Sequence, residues 1–207
     1  MSPSRKNPPP PKRSYGVRVG WILIGISILL TLFTYGKILY EELRYQTTKY
    51  VPARITKELP PIDTDFGIVI PKIGANAKVI KDVDPYNSRV YQQALTQGVA
   101  HAKGSAVPDN EGNVFLFSHS SVNFYEALRY NSIFYLLNKL ESDDTIDLYY
   151  QNKKYSYRVT KKEIVASTAV EYLLPTNGKD AYTLTLMTCW PPGTSFKRLI
   201  ITATRTP

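Results

Sequence analysis

Cysteine occurs once in the 207 residues, and histidine, tryptophan and methionine twice each. A single thiol excludes an internal disulfide, so the fold must stand on its hydrophobic core. It leaves the compartment open, and is compatible with an extracytoplasmic protein that keeps one thiol for chemistry. Acidic residues are missing from positions 1–40, which carry Arg5, Lys6, Lys12, Arg13, Arg18 and Lys37. Of the 26 basic residues 20 remain beyond position 40 against 17 acidic ones, so only +3 of the +9 net charge belongs there. A nucleic-acid binder needs a basic stripe on its folded domain, and none is evident. Internal repeats are also absent. Proline (15) and tyrosine (16) are plentiful, which leans towards strands and irregular loops.

The longest uncharged run is VGWILIGISILLTLFTYG, residues 19–36. At about 1.5 Å per helical residue it nearly crosses a ~30 Å hydrocarbon core. Lys37 can snorkel to the interface, and Trp21, Tyr35 and Tyr40 suit an aromatic belt. The run has no polar face and is longer than a signal-peptide core, and no small-x-small cleavage site follows it. It reads as a retained transmembrane helix over residues 19–40. The basic Pro-rich residues 1–18 then form a disordered cytoplasmic tail, and residues 41–207 lie outside the plasma membrane. Residues 41–64, interrupted by Pro52, Pro60 and Pro61, read as a stalk whose start extends the helix.

Residues 65–207 read as the outer domain, and from Phe66 the texture is that of short strands. FGIVI ends at Pro71, NAKVIKDV follows, and NVFLFSH runs into His119. DTIDLYY and KKYSYRVTKKEIV alternate as a hairpin around QNKK, and LPTNGKD is a turn. AYTLTLMTC and FKRLIITATR are two strands joined by a tight Pro-rich loop. SRVYQQALTQG reads as a short helix capped by Ser88, NSIFYLLNKL as a short amphipathic helix, and GVAHAKG as a glycine-bounded loop holding His101. Seven or eight strands with frequent turns imply an all-β domain, closed or sandwich-like, with two short helices over its openings.

A lone cysteine is either an inert small hydrophobe or a nucleophile. If the last two strands pair antiparallel, Cys189 ends one and Arg198 opens the next. Cross-strand neighbours stand about 5 Å apart at Cβ, so a guanidinium sits beside the thiol. An adjacent cation favours thiolate, and its donors suit a developing oxyanion. A nucleophilic cysteine also needs a base or proton shuttle, and only His119 and His101 offer one. The plain readings are a packing thiol, a hydrogen-bonding histidine and a solvated arginine.

TLMTC followed by Arg198 resembles the TLxTC…R signature of sortases, the membrane-anchored cysteine transpeptidases of bacterial surfaces. The resemblance extends over residues 66–205, through FGIVIPKIGANAKVI, QGVAHAKGSAVPDNEGNVFLFSHSS and SIFYLLNKLESDDTIDLYYQNKKYSYRV. It implies a closed eight-stranded sortase-like β-barrel with short helices, here behind one transmembrane helix. It also implies Cys189 as nucleophile, His119 as the catalytic histidine and Arg198 as the catalytic arginine. His101 matches a histidine of some subgroups and is pocket-lining at most. Phe117-Ser118 stand where the family often has a small residue and glycine, so a hydroxyl alters the pocket wall. The TCWPPGT loop and the lack of a lid segment point to an open site of class D or E type rather than a pilus-building one.

The chemistry implied is thioacyl transfer. Cys189 attacks a peptide bond of a C-terminal sorting motif, LPxTG-like and cut after Thr, and an amine of the cell wall or of another protein resolves the intermediate. No cofactor or metal is expected. Some relatives bind calcium beside the groove, but Asp82, Asp84 and Glu171 read as solvated surface. Three alternatives compete: a tethered protease hydrolysing the same intermediate, a non-catalytic peptide-binding β-domain, and an L,D-transpeptidase. The last keeps His and Cys close together in sequence, unlike His119 and Cys189.

Overall fold

The computed structural model describes residues 15–49, 59–120, 133–169 and 182–207. The chain divides into two units, Met1–Glu41 and Glu42–Pro207. Helix α1 runs over Tyr15–Lys49, so it holds the apolar run and continues into the segment read as a stalk. Among the described residues no helix is long and apolar enough to cross a membrane. The side chains at 33–35, inside the run, lie outside that set.

Eight strands follow among the described residues: β1 (Phe66–Ile70), β2 (Ala75–Val83), β3 (Val99–Ala102), β4 (Gly112–Phe117), β5 (Thr145–Tyr150), β6 (Lys153–Ala166), β7 (Tyr182–Trp190) and β8 (Lys197–Arg205). They close into a barrel in the order β1-β2-β3-β4-β7-β8-β6-β5, with β5 returning to β1. This settles the choice between barrel and sandwich. Two seams are parallel, β2–β3 and β4–β7, and the others antiparallel.

The pleat sends alternate residues to opposite faces. Val114, Leu116, Leu184, Leu186, Leu199 and Ile201 fill the interior with Ile68, Leu148 and Tyr157. Phe115 and Phe117 point out of the barrel, yet they are buried with Ala94 and Leu95 of helix α2 (Ser88–Leu95). Strand β4 is therefore covered on both faces, which is why NVFLF is a continuous apolar run rather than an alternating one.

The β5–β6 hairpin turns through Gln151 and Asn152 alone, both at positive φ, 50° and 63°. Two consecutive left-handed residues match the twist of the flanking strands. Of the predicted QNKK linker, Lys153 and Lys154 belong to β6. The predicted LPTNGKD turn and Glu171 lie outside the described residues, as does Pro52.

Three local expectations are corrected. The cap of α2 is Asn87, whose side chain accepts from the Val90 N–H, and Ser88 is the first helical residue. Residues 133–140 form turns and one 3-10 turn, Leu137–Lys139, in place of an amphipathic helix. Ile133, Phe134 and Tyr135 are poor helix formers, and so short a segment nucleates a helix badly. The three-residue spacing of buried Phe134, Leu137 and Leu140 suits the tighter coil, where i and i+3 share a face. His101 sits in strand β3 and not in a loop.

Candidate active site

The parallel register of β4 on β7 sets Phe117 opposite Met187. Advancing two residues along each chain brings His119 level with Cys189, on the same face as Phe117 and Met187. The seam holds beyond the last strand pair, because Ser118 N–H donates to the Met187 carbonyl at 3.2 Å and Thr188 Oγ1 donates to the Ser118 carbonyl at 2.8 Å. On the other side of β7, the antiparallel register pairs Cys189 directly with Arg198. Three neighbouring strands thus deliver histidine, cysteine and arginine to one level of one face.

That face opens into a groove of about 450 Å³ outside the barrel, lined by His119, Cys189 and Arg198 together with Gln92, Phe117 and Met187. Helix α2 forms one wall and the β7–β8 loop the other, through Tyr91 and Leu95 against Gly193, Thr194 and Ser195. Cys189 is half-buried, within reach of a ligand in the groove.

Arg198 and His119 each have a specific setting. Arg198 Nη1 donates to the Ser195 and Lys197 carbonyls, each at 3.1 Å. These bonds hold the guanidinium to the loop, and Nε and Nη2 carry its remaining donors. His119 Nε2 stands 3.2 Å from Gln92 Oε1 on α2. An amide oxygen only accepts, so Nε2 carries the proton. Ser118 and Ser120 flank His119, both buried, and among the described residues their hydroxyls have no hydrogen-bond partner. Ser118 also lines the groove.

His101 is not part of this groove. Its ring is wholly buried at the other end of β3, packed 5.5 Å from the Phe66 ring. Nδ1 accepts from the Asp82 N–H at 3.3 Å and Nε2 donates to the Ala106 carbonyl at 2.9 Å, with Ser105 Oγ also 2.9 Å from Nε2. That pattern fixes the neutral Nε2–H tautomer. Asp82 Oδ1 lies 3.8 Å from Nδ1, yet burial outweighs this carboxylate and pushes the imidazole pKa down. The ring is a latch between β2, β3 and the following loop, which corrects the pocket-lining expectation.

Among the described residues no group of three or more His, Cys, Asp and Glu is placed to hold a metal. Asp82 is solvent-exposed, and the Asp84 carboxylate caps its own turn by accepting from the Tyr86 N–H. The groove lining carries no Asp or Glu among the described residues. Two features had no signal in the sequence: the Gln92 contact, which joins two distant segments, and the Thr188 clamp.

A family model of the sortase domain matches residues 68–206. Sortase D of Bacillus subtilis (strain 168) is 27% identical over 135 residues, 64% of this chain and 59% of that protein. Among solved structures, sortase C-1 of Actinomyces oris superposes with a TM-score of 0.58 at 24% identity, over 82% of this chain and 84% of that one. Sortase A of Corynebacterium diphtheriae gives 0.56 at 25% identity, over 70% and 61%. The barrel is thus of the sortase fold. The chain belongs to the sortase family, a family of cysteine transpeptidases.

Proposed function

We propose that this chain is a sorting transpeptidase in which Cys189 is the nucleophile, His119 the proton shuttle and Arg198 the oxyanion donor. The observation that carries the reading is the Cys189–Arg198 register beside the seam that ends in His119, all three lining one groove. The Cys189 thiolate attacks the carbonyl carbon of the scissile peptide bond, forming a C–S bond. Arg198 donates to the oxygen as it gains charge. The protonated His119 gives its proton to the leaving nitrogen as the C–N bond breaks, which leaves a thioester. An incoming amine attacks the thioester, His119 takes its proton, and the thiolate is regenerated.

By resemblance the substrate is an LPxTG-like motif near the C-terminus of a surface protein, cut after Thr. The acceptor is an amine of the cell wall or of another protein. The similarity to Sortase D of Bacillus subtilis supports a class D-like member.

The chain is further proposed to be a single-pass plasma-membrane protein with a cytoplasmic N-terminus. The consecutive side chains Trp21, Ile22, Leu23 and Ile24 are all more than half exposed on α1, so the helix is apolar around its circumference. An uncovered helix of that kind suits lipid better than water. Arg5, Lys6, Lys12, Arg13 and Arg18 before the run favour the cytoplasmic side.

The test is a peptide-library reaction of the full chain in mild detergent, read by mass spectrometry with and without added amines. A covalent adduct of peptide mass on Cys189 and an amine-dependent product are expected, and both vanish in Cys189→Ala. Turnover near that of the unaltered chain in Cys189→Ala would refute the mechanism. Hydrolysis alone, at any amine concentration, would favour the protease reading. An alkylation rate at Cys189 no faster than that of an ordinary exposed thiol, with no adduct, would favour a binding domain.

A further inference from the structure

We propose that Gln92 is the positioning residue of His119: its side-chain oxygen holds the imidazole by Nε2–H in the groove that carries Cys189. The inference rests on the reading of His119 as proton shuttle.

The geometry comes from two segments distant in sequence. Gln92 lies on α2, and its Oε1 is 3.2 Å from His119 Nε2. Both side chains line the groove that holds Cys189. The α2 backbone beneath Gln92 is fixed, since Ala94 and Leu95 are buried against Phe115 and Phe117 of β4. The strand that ends before His119 therefore also packs the helix that holds its ring. Asn87 caps α2 one turn before Gln92, which fixes the start of the helix.

A carbonyl oxygen accepts Nε2–H equally from neutral imidazole and from imidazolium. The contact therefore survives a change in the ring's protonation. Gln92 is also uncharged. A carboxylate in the same place would orient the ring equally well but would stabilise imidazolium, making His119 a poorer acid towards the leaving amine. The titratable or charged groups that face His119 across the groove among the described residues are Tyr91 on α2, Cys189 on β7 and Arg198 on β8. Against that background the change from Gln to Glu adds one negative charge at a hydrogen-bonded atom.

The experiment uses the full chain in mild detergent with two variants. Gln92→Glu keeps the acceptor and adds charge, and Gln92→Leu keeps the bulk and removes the acceptor. The first readout is an NMR pH titration of the imidazole Cε1–H resonances in a Cys189→Ala background. The chain has only two histidines, and His101 is buried with a depressed pKa, so the two curves separate. In Gln92→Glu the His119 titration is expected to move up by about one unit or more. The basic limb of the kcat/KM profile, measured with Cys189 intact, moves with it. In Gln92→Leu kcat is expected to fall about tenfold, with KM within about twofold, and Gln92→Glu recovers most of that loss at its shifted optimum. A residue that merely braced α2 would move neither the titration nor the profile. An unmoved His119 titration in Gln92→Glu overturns the proposal, as does a kcat within about twofold of normal in Gln92→Leu. His119→Ala separates the two levels. If it stays active, the reading of His119 itself fails; if it is dead while both Gln92 variants behave as the unaltered chain, only the positioning role fails.

Discussion

Acid should weaken this barrel through one buried ring. His101 is completely inaccessible and accepts at Nδ1 from the Asp82 N–H while donating from Nε2 to the Ala106 carbonyl. Desolvation pushes its pKa below the ordinary 6.5, against the pull of Asp82. Protonation would turn Nδ1 into a donor facing another donor, so the native ring resists the proton. The unfolded ring does not. As pH falls through about 6.5 the unfolded state binds the proton first, and stability drops. Above that pH the ring is neutral in both states and the contribution is constant. The loss at pH 5.5 is bounded by RT ln(1 + 10), about 1.4 kcal/mol, the limit reached when the native ring takes up no proton at one unit below the unfolded pKa. The assay is urea unfolding of the full chain in mild detergent at pH 7.5, 6.5 and 5.5, beside His101→Gln. The variant is less stable at pH 7.5, because two hydrogen bonds in a dry site are disturbed. Its pH dependence should be shallower than that of the unaltered chain, by up to about 1.4 kcal/mol over this range. Differencing the two proteins removes the carboxylates, which titrate alike in both. Parallel curves, within about 0.3 kcal/mol, would refute the latch as described.

Two further outcomes follow from the site and the barrel wall. Arg198→Lys is expected to lose at least about tenfold in kcat/KM with an unchanged melting temperature, because a point charge cannot hold the Ser195 and Lys197 carbonyls and still offer donors to an oxyanion; full activity would remove Arg198 from the oxyanion role. Gly98→Ala is expected to destabilise by about 3 kcal/mol, since its Cβ would collide with the Lys78 backbone carbonyl on β2; a thermal scan with the same midpoint as the unaltered chain would show that this approach is looser than described.

The strands were legible because their apolar residues alternate, and Cys189 and Arg198 because a short loop between two strong strands leaves little choice of register. The NVFLF run was legible as a buried strand, but its second cover was not. Nothing in SRVYQQAL says that its apolar side lies on Phe115 and Phe117. His119 was readable as a strand-end residue, although β4 stops at Phe117 and a side-chain clamp from Thr188 carries the chain on to it. The order β4-β7-β8 places His119 beside Cys189, and that order follows from barrel closure rather than from any local pattern. His101 misled because GVAHAKG has the composition of a loop, whereas its alanines fit a crowded strand under α2. The NSIFYLLNKL segment misled because its apolar spacing serves a 3-10 turn as well as it serves an α-helix.

The parallel β4–β7 seam has a consequence for how the candidate site comes into being. The clamp residues Ser118 and Thr188 are 70 positions apart, so loop-closure entropy must be met before the first of these contacts forms. Hairpins such as β5–β6 and β7–β8 can form from nearby sequence, and β7–β8 already carries Cys189 and Arg198. That half-site has its thiol and its cation but no histidine beside it. On the proposed reading, a chain still folding would thus hold a nucleophile without its proton shuttle until this non-local seam closes. Recovery of activity after dilution from urea should therefore trail formation of the β7–β8 hairpin.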